Sequence, residues 1–236
     1  MFFPYMMNIN YLVYMIPAFL LMMLAQILVS SAYRKWGQVP VRSRMTGADA
    51  AQRMAQSNGL YNIRIGAARG NLTDNYDPRD KVLHLSADVA NGQSVASVAV
   101  AAHELGHALQ DQEGYFPLQL RAAMVPAVNI GSTLGWIFII VGLLIGYTGL
   151  AWVGVAFFAV GTIFALATLP VELNASARAR RMLANSGIIL GDDEQKGVNA
   201  VLNAAAFTYI AALITSIMQV LYYVTLLGGF GGRRRS

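Results

Sequence analysis

Residues 98–112 read VAVAAHELGHALQDQ and place His103, Glu104 and His107 in the pattern His-Glu-x-x-His. On an α-helix, positions i and i+4 share a face, so the two imidazoles can offer nitrogens to one tetrahedral zinc ion. Glu104 directly follows the first histidine and so lies beside the metal. From there its carboxylate can take a proton from a zinc-activated water and pass it to a leaving amine. Gly106 costs about 1 kcal/mol of helix propensity relative to Ala, which is understandable where a strand or a substrate backbone must come close. The alternative is a solvated histidine pair on an ordinary helix. With only 3 His in 236 residues, two of them bracketing a Glu at this spacing argue for zinc hydrolase chemistry instead.

The surroundings of this helix decide where that chemistry is done. The chain is 56% hydrophobic and 12% charged, with a mean hydropathy of +0.48, which excludes an ordinary soluble domain and predicts a membrane protein. Its net charge of +5 comes largely from arginines beside apolar segments, and no aromatic-basic motif argues for nucleic acid. There is no cysteine, hence no disulfide framework and no thiolate metal site.

Upstream, residues 12–29 (LVYMIPAFLLMMLAQILV) are long enough to cross about 30 Å of hydrocarbon, and a first transmembrane segment is predicted within residues 5–32. Tyr33, Arg34, Lys35 and Trp36 follow as an interfacial anchor rather than a cleavage site. Residues 38–121 form the one extended stretch of soluble composition and are predicted to be the catalytic domain. In it Thr46 and Asp49 form a capping box for a helix to Ser57, stopped at Asn58-Gly59. Tyr61–Ile65 and Lys81–Ser86 alternate as strands of a small sheet, separated by turn-formers that include Gly70, Asn71, Asp74, Asn75, Asp77 and Pro78. Ser94 caps the motif helix, which ends near Gly114. Downstream, residues 122–169 predict a transmembrane hairpin turning at Gly146–Gly149. Residues 170–197 hold a polar helix opened by Pro170, then a connection. Residues 198–228 predict a last membrane helix preceded by Asp192, Asp193 and Glu194, and residues 229–236 are a basic tail.

A catalytic zinc needs a third protein ligand. Glu113 is on the same helix end, and Glu194 opens a junction. Glu172 lies one turn into the helix that begins where the hairpin returns, which brings it back to the level of His103 and His107. It is therefore the predicted ligand, the alternative being a surface ion pair with an arginine such as Arg178.

The runs LTDNYDPRDKVLHLS (72–86), SVASVAVAAHELGHALQ (94–110) and LPVELNASARA (169–179) resemble the YugP-like neutral zinc metallopeptidases, membrane-bound bacterial proteins, in the family's order and over most of the chain. More distantly the layout is similar to the HtpX and CAAX-prenyl endopeptidases, gluzincins in which a transmembrane hairpin separates the His-Glu-x-x-His helix from the glutamate helix. In those proteases the strand before the motif helix is an edge that binds peptide by strand addition. The resemblance thus implies that Asn75, Tyr76 and Lys81–Ser86 line the cleft, with Leu83 and Leu85 among the substrate-binding residues. One departure stands out. The distant relatives carry Asp four residues after the glutamate, as partner to a zinc histidine, where this chain has Ser176; the YugP-like pattern has Asp where this chain has Asn174. That leaves the histidine's partner to be identified. His84 is read as a core or surface residue, and Tyr76, Arg178 and Tyr209 as candidate oxyanion stabilisers or packing residues.

Together these readings predict a mostly α integral membrane protein, with about four transmembrane helices and a small α+β zincin-like catalytic domain. Its function is predicted to be zinc-dependent endopeptidase, acting on peptides or membrane proteins at the cytoplasmic surface of the inner (plasma) membrane. The competing readings are an intramembrane zinc protease and a catalytically silent membrane scaffold with a structural metal site. The polar run Gln110–Glu113 after the motif argues against the first, and a closed four-ligand zinc would favour the second. Lysines and arginines from Arg34 to Lys196 fall on one side if all four segments span, whereas Arg233–Arg235 fall opposite them.

Overall fold

The computed structural model describes residues 9–70 and 73–232, so that Asn71 and the arginine tail 233–235 lie outside the described residues. Four helices are long and apolar enough to cross a membrane: α1 (Ile9–Trp36), α5 (Phe116–Leu144), α6 (Thr148–Ser186) and α7 (Asp192–Gly232). Between α1 and α5 come α2 (Gly47–Ser57), β1 (Arg64–Ala67), β2 (Asn75–Asp77), β3 (Val82–Leu85), α3 (Ala87–Asn91) and α4 (Val95–Gln112), the last carrying the zinc motif. The protein is thus a mostly α membrane protein with a three-stranded sheet. The chain divides into two compact units: residues 1–24, 120–169 and 209–236, and residues 25–119 and 170–208.

In the first unit, α5 and α6 form the predicted hairpin. Their contact is made by small residues: a Cβ on Gly142 would come within 2.5 Å of the Ala151 nitrogen, and one on Gly154 within 2.7 Å of the Gly135 carbonyl. In a membrane, where lipid is as apolar as leucine, such close approach is what gives helix pairing its van der Waals energy. Ile139, Ala151 and Val155 are buried together with Tyr222, Tyr223, Leu226 and Leu227 of α7. Tyr14 of α1 hydrogen-bonds Thr225 at 3.1 Å.

In the second unit the caps fall where the sequence puts them. Asp49 N donates to the Thr46 hydroxyl and Thr46 N to the Asp49 carboxylate, both at 3.1 Å, and Ser94 accepts from Ser97 N at 3.1 Å. The motif helix is buried over most of its length, as a helix is when elements cover it on several sides. Its residues Val95, Val98, Ala99, Ala101, Ala102, Leu105 and Ala108 are buried with Met54 of α2, Leu83 and Leu85 of β3, and Leu183 of α6.

Three predicted features are corrected. The strand expected at Tyr61–Ile65 begins only at Arg64, because Tyr61 and Asn62 form a turn of their own. Pro170 does not open a helix: α6 runs through it without interruption for 39 residues. A proline removes one hydrogen bond, and in long apolar helices neighbouring groups make the loss tolerable. The third correction concerns the sheet, whose order is β1-β3-β2, with β1 parallel and β2 antiparallel to β3. The strand nearest the motif helix in sequence is therefore central and paired on both sides.

Candidate metal centre

His103 and His107 come from the middle of α4, and Glu172 from α6, which packs against α4 at an unusually small residue. A Cβ on Gly106 would lie 2.6 Å from the Ala175 carbonyl oxygen. The close approach anticipated at Gly106 is thus that of the glutamate helix backbone. With the two helices this near, Glu172 Oε2 lies 3.2 Å from His103 Nε2 and 3.5 Å from His107 Nε2. The three side chains are 12%, 11% and 2% exposed. One donor atom from each lies within 4.8 Å of the others, the only such group among the described residues.

Two imidazoles and a carboxylate are the donor set of a catalytic rather than a structural zinc site, which leaves a fourth tetrahedral position open. Burial alone would raise the Glu172 pKa, but the two imidazoles beside it overcome this and hold the carboxyl far below the ordinary carboxylate range. For His107, burial works to lower the pKa while Glu172 and Glu104 raise it, and the balance is upward. Glu104 is partly buried next to this group, and desolvation pushes its carboxyl pKa up against the pull of the two imidazoles.

The remaining ring nitrogens have partners too. His103 Nδ1 lies 3.2 Å from the buried Ser176 hydroxyl, which therefore takes the place that Asp holds in the distant relatives. His107 Nδ1 lies 2.9 Å from Gln110 Oε1. Gln110 is fully buried, and its amide nitrogen reaches the Val171 carbonyl at 2.8 Å and Asn174 Oδ1 at 3.0 Å. Reading the sequence did not single out Gln110. The signal was its i+3 spacing from His107.

The other carboxylates weighed as ligands are committed elsewhere. Glu113 pairs with Arg178 at 2.7 Å. Glu194 is buried and accepts from Arg42 N at 2.6 Å and Leu190 N at 2.7 Å. Arg178 also donates to Asn174 at 2.6 Å. Tyr76 donates to Asp111 at 2.7 Å, and its pKa is pushed well above the tyrosine range by burial and by that carboxylate. Tyr209 belongs to the other unit.

The cleft residues are divided by the structure. Leu83 and Leu85, on the central strand, are completely buried in the core, so they do not present an open edge as expected. His84 shares that strand, opposite Gly66 and Asn75, outside the metal group. Asn75 and Tyr76 lie on β2, a true edge of the sheet, and Tyr76 reaches the motif helix one turn beyond His107. Two cavities of about 660 and 320 Å³ open in this unit, one at the start of α4 (Tyr33, Asp88, Ser94) and one between α2 and β1 (Ala51, Leu60, Ile65). Neither is lined by His103, His107 or Glu172. The centre is recognised by its donor atoms and not by cavity size.

A family model described as "Putative neutral zinc metallopeptidase" matches residues 11–228. The chain belongs to this zinc metallopeptidase family. Its metal is accordingly zinc, and His103, His107 and Glu172 form a group that could hold a metal ion. The chain is also similar to the curated "Putative membrane protease YugP" of Bacillus subtilis (strain 168). The two are 42% identical over 202 residues, which covers 86% of this chain and 89% of the relative. No solved structure matches the chain.

Proposed function

We propose that the protein is an integral membrane endopeptidase of the gluzincin type, with zinc held by His103, His107 and Glu172 and with Glu104 as general base. The observation that carries this reading is the convergence of three donor atoms, 69 residues apart in sequence at the extremes, beside a carboxylate that is not needed as a ligand. Zinc, when bound, supplies Lewis acidity that activates water near neutral pH and polarises a carbonyl. Glu104 accepts the water's proton on its carboxylate and delivers it to the amine leaving group. His103, His107 and Glu172 would hold the metal, and a set of three protein ligands would leave a coordination position for water or substrate.

The substrate is a peptide or a membrane protein, bound in extended form along β2 at Asn75 and Tyr76, where the sheet has an edge. The relative's description as a membrane protease supports this class of substrate. Four apolar helices and the distribution of lysine and arginine support a multi-pass protein of the inner membrane with the metal centre on the cytoplasmic side.

The test is zinc content and peptidase activity of the detergent-purified chain and of Glu104→Gln. About one zinc per chain is expected in both, with activity lowered about 10²–10⁴-fold in the variant. Full activity in Glu104→Gln would remove Glu104 from the chemistry. Equal inactivity of both proteins, with zinc bound, would favour a structural metal site.

A further inference from the structure

We infer that Gln110 is a positioning residue for zinc: it fixes the tautomer and direction of His107 and ties that imidazole to the Val171 carbonyl and the Asn174 side chain, which flank Glu172. This inference rests on the metal centre proposed above. The polarity of the hydrogen bonds can be assigned without seeing a proton, because both far ends are one-way groups. The Val171 carbonyl can only accept, so the Gln110 atom 2.8 Å from it is the amide nitrogen. The Arg178 guanidinium can only donate, so the Asn174 atom 2.6 Å from Arg178 Nε is the oxygen, and that same oxygen faces Gln110 at 3.0 Å. Two independent anchors therefore agree that Gln110 spends both its N–H groups on the glutamate helix. Its oxygen is left facing His107 Nδ1 at 2.9 Å and can only accept.

His107 must then carry its proton on Nδ1, which leaves the Nε2 lone pair directed at the position shared with His103 and Glu172. A zinc-bound imidazole needs that lone pair, and a fixed partner on the opposite nitrogen orients the ring. The arrangement also couples two ligands. Val171 precedes Glu172 and Asn174 lies two residues after it, so one buried amide joins His107 to the turn of helix that presents the carboxylate. Arg178, held in turn by Glu113 at 2.7 Å, keeps the Asn174 oxygen turned toward Gln110.

The test uses the full-length chain in detergent with ¹⁵N-labelled histidine, of which there are three. At alkaline pH, where imidazole is neutral, the spectrum should place the His107 proton on Nδ1, with or without zinc; a proton on Nε2 overturns the inference. Zinc affinity is then measured by chelator competition. Gln110→Met, similar in shape but unable to hydrogen-bond, should bind zinc about 10–100-fold more weakly. Asn174→Asp, which still accepts from both neighbours, should bind it as tightly as the wild type. A merely structural Gln110 would lower the melting temperature and leave affinity unchanged, and that result overturns the inference, as does loss of zinc in Asn174→Asp. If Gln110→Met does not fold, the wild-type spectrum and Asn174→Asp still decide. Absence of zinc binding by the wild type would instead count against the metal centre, and the proton on His107 would remain readable.

Discussion

At the scale of single residues, the two assignments that matter most have different origins. His103 and His107 were legible because helical spacing alone puts them on one face. Glu172 needed the additional argument that a hairpin returns the chain to its starting level, since nothing in its own neighbours marks it as a ligand. Its test is therefore the sharper one. Glu172→Ala should lose zinc to a weak chelator, and Glu172→Gln, which keeps shape without charge, should fall between that variant and the wild type. An ion pair at a surface would be worth at most about 1 kcal/mol and would leave the metal intact, so unchanged zinc in Glu172→Ala eliminates it as a ligand. Gly106 makes a second prediction, in which two effects oppose one another. Alanine there gains about 1 kcal/mol of helix propensity, but its methyl group would meet a backbone carbonyl at 2.6 Å, and overpacking of this kind costs about 1–3 kcal/mol. Because a helix backbone cannot turn aside as a side chain can, the steric cost should win. Gly106→Ala is expected to lower the melting temperature and weaken zinc binding together. A more stable variant with full zinc affinity would show that α6 yields easily.

At the scale of elements, the resemblance put an open edge at the strand before the motif helix, whereas that strand, β3, is central. Lys81–Ser86 alternates as a strand, and periodicity finds strands well, but it carries no information on which strand lies at the margin of a sheet. The edge on the side of the motif helix is β2, whose Asn-Tyr-Asp composition reads as turn and which is a strand only because β3 supplies its hydrogen bonds. Pro170 misled for a related reason: the local rule against proline inside a helix yields where the helix is long and its neighbours support it. The β2–β3 hairpin is clasped to α4 by Asp111, which accepts from the Tyr76 hydroxyl and pairs with Lys81, a residue at φ +53°. Hydrogen bonds to a charged group contribute roughly 1.5–3 kcal/mol, so Asp111→Ala should loosen the edge without touching a zinc ligand. The expected result is a raised KM for peptide with zinc content unchanged; loss of zinc with KM unaltered would place the clasp in the metal centre instead. In the hairpin of α5 and α6, Gly142 allows the Ala151 backbone to approach, and Gly142→Leu should destabilise the detergent-solubilised protein by about 1–3 kcal/mol. Thermal unfolding measures this directly, and an unchanged midpoint would mean that the pair is held by other contacts.

At the scale of the whole molecule, composition was the most informative property, because a chain of this hydropathy cannot hide four long apolar helices in a fold of 236 residues. What composition leaves open is direction, and here the charges provide the argument. Arg34 and Lys35 lie in the last turn of α1, Arg121 near the start of α5, Arg178, Arg180 and Arg181 in the last third of α6, and Lys196 near the start of α7. If each helix crosses once, all seven fall on the same side, together with the motif helix, and the excess of lysine and arginine marks that side as cytoplasmic. The loop at Gly146–Tyr147, which holds no charged residue, falls on the other. Only Arg233–Arg235 oppose this assignment. They lie beyond α7, which is one continuous helix of 41 residues and so long enough to carry its C-terminal end across the bilayer. Three arginines following the last span weigh less than the larger set met earlier, since the first spans usually set orientation. A topology reporter inserted near Asn58-Gly59 should therefore read as cytoplasmic, one inserted at Gly146–Tyr147 as exterior, and one fused after Ser236 as exterior as well. A cytoplasmic signal from the tail with the first two as expected would mean that the last helix does not complete its crossing. An exterior signal from Asn58-Gly59 would invert the whole arrangement and move the proposed peptidase chemistry to the other face of the membrane.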